Sequence, residues 1–218
     1  MTEKYKDIAL LFDLDGVIFS SENYYSDFWN MEAEKFGIKE EHFADKIKGH
    51  GLQDIFNEYF YNDYHKQEVI IKDLDIVEKN MEFNYIPGVR AFIESLVKDN
   101  VKICLVTSSK RNKMDYVFEK HPEMADFFKL MVTASDILHS KPAPDCYLKA
   151  ASLCNIPANR CIVFEDSVAG MIAAKKASMN VVGLATTLDK SQIENYSDMV
   201  ISDFTQISIE DINRYFQL

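Results

Sequence analysis

The chain has 218 residues, of which 47% are hydrophobic and 27% charged, the proportions of one globular domain, or of a domain with a smaller insertion, that buries its core without disulfide staples. Its 24 basic residues against 35 acidic ones leave a formal charge of −11, which argues against nucleic acid as a partner, because a phosphate backbone calls for a basic face. No run approaches the ~18 apolar residues of a membrane span, and the opening Met1-Thr2-Glu3-Lys4-Tyr5-Lys6-Asp7 lacks the apolar stretch of a signal peptide, so a monomeric, cytoplasmic protein without a membrane partner is expected.

In chain order, near-continuous apolar runs at 8–12, 101–106, 161–164 and 181–184, with a shorter one at 199–201, read as buried parallel strands. Between the later runs, residues 89–98, 113–119, 146–154 and 168–177 carry helical spacing. Strand alternating with helix predicts an α/β fold, a doubly wound parallel-sheet (Rossmann-like) core. The stretch from Ser20 to about Tyr85 breaks that rhythm. It shows helical patterns only, one through Tyr24, Phe28, Met31 and Lys35 to Gly37, then 47–61 and 69–81. We therefore expect a core of residues 1–18 and 87–218, with a small all-helical domain, 19–86, inserted after the first strand. Pro87-Gly88 is a turn signal where the chain returns to the core. The cysteines, Cys104, Cys146, Cys154 and Cys161, form no Cys-x-x-Cys pair and read as reduced core thiols.

In open α/β sheets ligands bind beyond the carboxyl ends of the strands. The first run ends in Asp13-Leu14-Asp15-Gly16, the second in Thr107-Ser108-Ser109, the third in Glu165-Asp166-Ser167, and a later connection carries Lys141-Pro142-Ala143-Pro144-Asp145. Asp13 and Asp15 can share a Mg²⁺, which wants hard oxygens and keeps some waters, or simply bend the chain with Gly16. Glu165-Asp166 is an acidic pair suited to a helix N-terminus with Ser167 as its cap. Joined to the first pair, it makes a divalent-metal site, since four carboxylates at one sheet edge repel unless a cation lies among them. Thr107 and Ser108 offer hydroxyls and an N–H near a helix start, where anions are held. Together with Lys141, these groups suit phosphoryl transfer, in which a carboxylate nucleophile meets an anionic substrate.

Phe12-Asp13-Leu14-Asp15-Gly16-Val17, Val106-Thr107-Ser108, Lys141-Pro142-Ala143-Pro144-Asp145 and Val163-Phe164-Glu165-Asp166-Ser167 with Gly170 resemble, in order and spacing, the four motifs of the haloacid dehalogenase superfamily. The helical insertion is similar to the small cap of its beta-phosphoglucomutase-like subgroup, which holds many sugar-phosphate phosphatases. The resemblance implies Asp13 as nucleophile and Asp15 as general acid and base. It implies Mg²⁺ held by the Asp13 side chain, the Asp15 backbone carbonyl and Asp166, with Glu165 a ligand or close neighbour. It assigns Thr107, Ser108 and Lys141 to the transferring phosphoryl group. The implied activity is a Mg²⁺-dependent phosphatase acting on a small phosphorylated metabolite, a sugar or polyol phosphate, through an aspartyl phosphate.

A phosphomutase on the same scaffold is the alternative. Leu52 stands where relatives with a Gly-x-Ser-Arg pattern carry arginine, and Tyr25 replaces the cap histidine of the mutases; both departures weaken that alternative. Lys48 and His50 remain as cap residues that would read the substrate. Hydrolytic dehalogenases need neither metal nor an acid at the Asp15 position, and a non-catalytic binding module would not need the full motif set. In Ala177-Ser178-Met179, serine occupies a helix-ending position where relatives carry glycine, at a modest expected cost.

Overall fold

The computed structural model describes residues 5–48 and 50–217; Met1–Lys4, Gly49 and Leu218 lie outside it. Five apolar runs become strands, β1 (Ala9–Phe12), β2 (Lys102–Val106), β4 (Cys161–Glu165), β5 (Asn180–Leu184) and β6 (Met199–Ile201), and a two-residue β3 (Met131–Val132) joins them. They form one parallel sheet in the order β3-β2-β1-β4-β5-β6. The sequence pattern missed β3, which is too short to show a period and exists because it pairs with β2.

The strands are apolar on both faces because both faces are covered, and residues alternate between two cores. Leu10, Phe12, Leu105, Phe164 and Leu184 point into one layer, closed by α5 (Val89–Lys98), α6 (Arg111–Lys120), α7 (Glu123–Phe127) and α11 (Ile209–Phe216). Ala9, Leu11, Cys104, Val163 and Val181 point into the other, under α8 (Asp145–Cys154), α9 (Val168–Lys176) and α10 (Lys190–Ile193). All four cysteines are buried in this second layer with free thiols. Phe12 stacks on Phe164 across β1 and β4 at 4.7 Å between ring centroids, which anchors the two central strands just beneath their carboxyl ends.

Between β1 and α5 the chain is helical: α1 (Glu22–Phe36), α2 (Phe43–Lys46), α3 (Leu52–Tyr59) and α4 (Tyr64–Asn80). The two ends of this stretch are joined by an antiparallel bridge between Phe19 and Tyr85. α1 stops at Gly37, whose left-handed φ of 69° lets its N–H reach back to the helix. These helices bury an apolar cluster of their own, in which Trp29 packs edge-on against Phe28 and Phe43 beside Ile55 and Ile70. Met31, one residue of the helical pattern over α1, is 56% exposed. One expectation changes here. The helix expected over 47–61 is broken: the chain turns between α2 and α3, with His50 N–H bonded to Ile47 O, and Gly51 caps α3 in extended conformation.

The end of α9 shows the serine departure directly. Ser178 sits at φ 61°, its N–H donating to Lys175 O and that of Met179 to Ala174 O, a turn that glycine enters without a Cβ penalty. Since the Ser178 side chain is exposed, Ser178→Gly is expected to raise stability by about 1 kcal/mol, read as a higher urea midpoint at unchanged slope.

Candidate active site

β1, β2 and β4 run in register, with Phe12 opposite both Leu105 and Phe164. The residues after them therefore emerge side by side at one edge. Asp13 is fixed by its own N–H, which donates to Phe164 O (3.1 Å), and its side chain is buried. The Lys141 ammonium, brought in by the loop before α8, donates to Asp13 Oδ1 (2.6 Å) and Glu165 Oε1 (2.5 Å). Sequence reasoning missed Tyr147, one turn into α8, whose hydroxyl donates to the same Glu165 oxygen (3.1 Å) while its ring lies under Lys141.

Glu165 Oε2 accepts from the N–H groups of Asp166 (2.9 Å) and Ser167 (2.8 Å) and from the Ser167 hydroxyl (3.0 Å). Ser167 in turn caps α9 by accepting from Gly170 N–H. Both oxygens of Glu165 are thus engaged in holding Lys141 and the loop. The approach is so close that a Cβ on Gly170 would stand 1.7 Å from Glu165 Oε1. A second close approach joins the acidic pairs: a Cβ on Gly16, at φ 73°, would stand 2.0 Å from Asp166 Oδ2.

Asp15 is met by groups from the opposite side. Ser109 Oγ donates to its Oδ2 (3.3 Å), and the buried Lys113 of α6 donates to both carboxylate oxygens (2.6 and 2.5 Å). Thr107 is buried at the end of β2, its hydroxyl accepting from Ser109 N–H, and Ser108 is exposed beside it. Lys113 was not singled out from the sequence; the available signal was a lysine adjoining the buried Met114 and Val117 on an amphipathic helix.

The helical insertion contributes an ion pair close by. Lys48 lies 3.2 Å from Glu22 at the start of α1, and burial pushes the Glu22 carboxyl up against the pull of Lys48, with the Asp15 charge adding to the rise. His50 is exposed and makes no bond to the strand-end residues among those described.

Electrostatics divides the acids into two kinds. Burial raises Asp13 to about 7 despite Lys141, and the charges of Glu165 and Asp15 push the same way. Burial, Glu165 and Asp13 drive Asp166 well above the usual range. Glu165 goes the other way: burial would raise it, but Lys141 and the Ser167 hydrogen bonds outweigh that and hold it low. Burial alone would lower Lys141, yet Asp13 and Glu165 keep its ammonium well above the usual lysine value. Asp13 and Asp166 are therefore short of positive charge, whereas Glu165 is neutralised by protein groups.

That imbalance fits a divalent cation. Among the described residues no three His, Cys, Asp or Glu side chains form a ready cage. The smaller set that the resemblance implies, the Asp13 and Asp166 carboxylates with the Asp15 carbonyl, would offer oxygens alone, the donor chemistry that suits Mg²⁺ when it keeps waters and binds substrate.

A family model described as haloacid dehalogenase-like hydrolase matches residues 10–184. The chain is 28% identical over 215 residues to Beta-phosphoglucomutase of Bacillus subtilis, covering 93% of this chain and 92% of that one. It is 29% identical over 221 residues to Glycerol-1-phosphate phosphohydrolase 1 of Saccharomyces cerevisiae, covering 94% and 86%. Its fold matches the crystal structure of a family IA, variant 3 hydrolase from Entamoeba histolytica with a TM-score of 0.86 at 21% identity, over 97% of this chain and all of that one. Among the described residues no helix is long and apolar enough to cross a membrane.

Proposed function

The chain belongs to the haloacid dehalogenase-like hydrolases as a phosphoric monoester hydrolase, and we propose that it hydrolyses a small phosphomonoester, a sugar or polyol phosphate, with Mg²⁺ and through an aspartyl phosphate on Asp13. The observation that carries this reading is the buried Asp13 carboxylate held 2.6 Å from Lys141 at the end of β1, with Asp15 two residues further on.

In the first step an Asp13 oxygen bonds to phosphorus as the ester P–O bond breaks, and Asp15 gives its proton to the departing alkoxide. In the second, a water loses a proton to Asp15 and bonds to phosphorus, and the bond to Asp13 breaks. Lys141, Thr107 and Ser108 would hold the phosphoryl oxygens through both steps, lowering the cost of charge on them. Asp13, Asp166 and the Asp15 carbonyl would hold the Mg²⁺, which when bound offsets repulsion between carboxylate and phosphate. The contacts of Glu165 support a neighbouring role that fixes Lys141, rather than direct ligation. The helical insertion, 19–86, serves as a cap over the strand ends and keeps bulk water out.

Phosphomutase turnover is a second reading, supported by the 28% identity to Beta-phosphoglucomutase. Against it, Lys48 is already paired with Glu22, and Leu52 supplies no charge for a second phosphate. The test is phosphate release across a panel of phosphorylated metabolites with Mg²⁺. Release from sugar or polyol phosphates, stopped by chelator and restored by Mg²⁺, is expected; full activity in chelator, or no release from any member, overturns the reading. Conversion of beta-glucose 1-phosphate to the 6-phosphate in the presence of glucose 1,6-bisphosphate, with little free phosphate, would decide for the mutase.

A further inference from the structure

Lys113 is completely buried, and it is the only lysine among the described residues with that degree of burial. A buried ammonium needs partners, and its partners come from two parts of the molecule. On the core side it donates to both oxygens of Asp15. On the insertion side it donates to the hydroxyl of Tyr25 on α1 and lies 4.9 Å from the centre of that ring. The Tyr25 hydroxyl in turn donates a hydrogen bond to Glu78 of α4 (3.2 Å).

The rest of the seam follows the same helix. Asn112 and Tyr116 both donate to Asp75 of α4, and Lys120 donates to the backbone carbonyls of Lys79 (2.7 Å) and Met81 (2.6 Å). One face of α6 is therefore the dock for the insertion, and Lys113 is the point where that dock reaches Asp15.

We propose that Lys113 is a positioning residue that fixes the Asp15 carboxylate while the helical insertion rests on α6, so that seating of the insertion and readiness of Asp15 are one event. The inference rests on the acid–base role of Asp15 given above. Without the lysine, Asp15 keeps only the Ser109 hydroxyl among the described residues, and the proton transfers at Asp15 suffer, while attack by Asp13 on a substrate whose leaving group needs no proton does not. Lys113 acts through the Asp15 carboxylate that it holds.

The experiment uses Lys113→Met, of similar length without the charge, with Tyr25→Phe as a second variant that keeps the ring and removes one hydroxyl. With the best phosphomonoester of the panel, Lys113→Met should lower kcat about 100-fold with KM changed about threefold or less. With acetyl phosphate, whose acetate leaves without needing a proton, the variant should accumulate covalent phosphoenzyme, seen by intact mass, that the wild type clears. Tyr25→Phe should show the same split to a smaller degree. Undiminished kcat in Lys113→Met overturns the proposal. So does a folded variant whose phosphoenzyme formation from acetyl phosphate falls in step with its turnover, because a lysine that only supports the fold would slow both steps. If Lys113→Met does not fold, Tyr25→Phe decides, and no accumulation there overturns the proposal. A wild type that releases no phosphate sinks the underlying reading as well, whereas an active wild type without accumulation in the variants sinks the inference alone.

Discussion

Asp13→Asn is expected to abolish phosphate release, a loss on the order of 10⁵-fold of the kind seen when a nucleophile is removed, while the protein melts no lower than the wild type. Asparagine matches aspartate in shape, and the backbone bond from residue 13 to Phe164 O does not involve the side chain, so strand β1 is undisturbed. What changes is charge. Burial of the Asp13 carboxylate, with the opposing charges of Glu165 and Asp15, outweighs the pull of Lys141, and a neutral amide removes that net penalty. In chelator, the melting temperature of the variant should therefore equal or exceed that of the wild type. A relief of about 1 kcal/mol would show as roughly 2–4 °C. A variant that retains turnover would rule out an aspartyl phosphate at this position.

Lys141→Met should fail in both respects. Lys141 is the shared counter-charge of Asp13 and Glu165, and removing it leaves Glu165 ionised in a buried place. Breaking such a pair costs about 3–5 kcal/mol, to be read from the urea midpoint. Turnover should also fall by about 10²–10³-fold through loss of the group proposed to offset phosphoryl charge. The double variant Lys141→Met/Glu165→Gln separates the two effects. It should recover much of the lost stability, because the orphaned charge is gone, without recovering turnover. Recovery of both would mean that Lys141 acts only as a scaffold; recovery of neither would mean that its stabilising partner lies elsewhere than Glu165.

The sheet and the strand-end acids were legible because both depend on local composition. A parallel strand covered on both faces must be apolar at every position, which is why 161–164 and 181–184 stood out, and polar groups directly after such runs can only lie at the sheet edge. Ser167, read as a helix cap from its place after Glu165-Asp166, caps α9. The parts that were not legible are those set by contacts distant in sequence. β3 exists through two residues of pairing with β2. Tyr147 and Lys113 read as ordinary helix residues, since nothing local says that one meets Glu165 and the other Asp15, 98 positions away. The break between α2 and α3 is of the same kind: the apolar spacing over 47–61 continues through a turn that only the packing of the insertion's own cluster reveals.

The chain has a single tryptophan, and it lies at the centre of that cluster, against Phe28 and Phe43. Its emission is therefore a private signal of the helical insertion, blind to the sheet beneath. Far-ultraviolet circular dichroism weighs the whole backbone, and turnover reports on the strand-end residues proposed as the active site. Denaturation followed by the three probes together distinguishes a molecule that melts as one from a molecule whose insertion loosens first, since a single cooperative unit gives coincident curves. Position 29 thus reports, without any engineering, on the helical insertion separately from the sheet, and so on the part of the chain proposed to cap the strand ends.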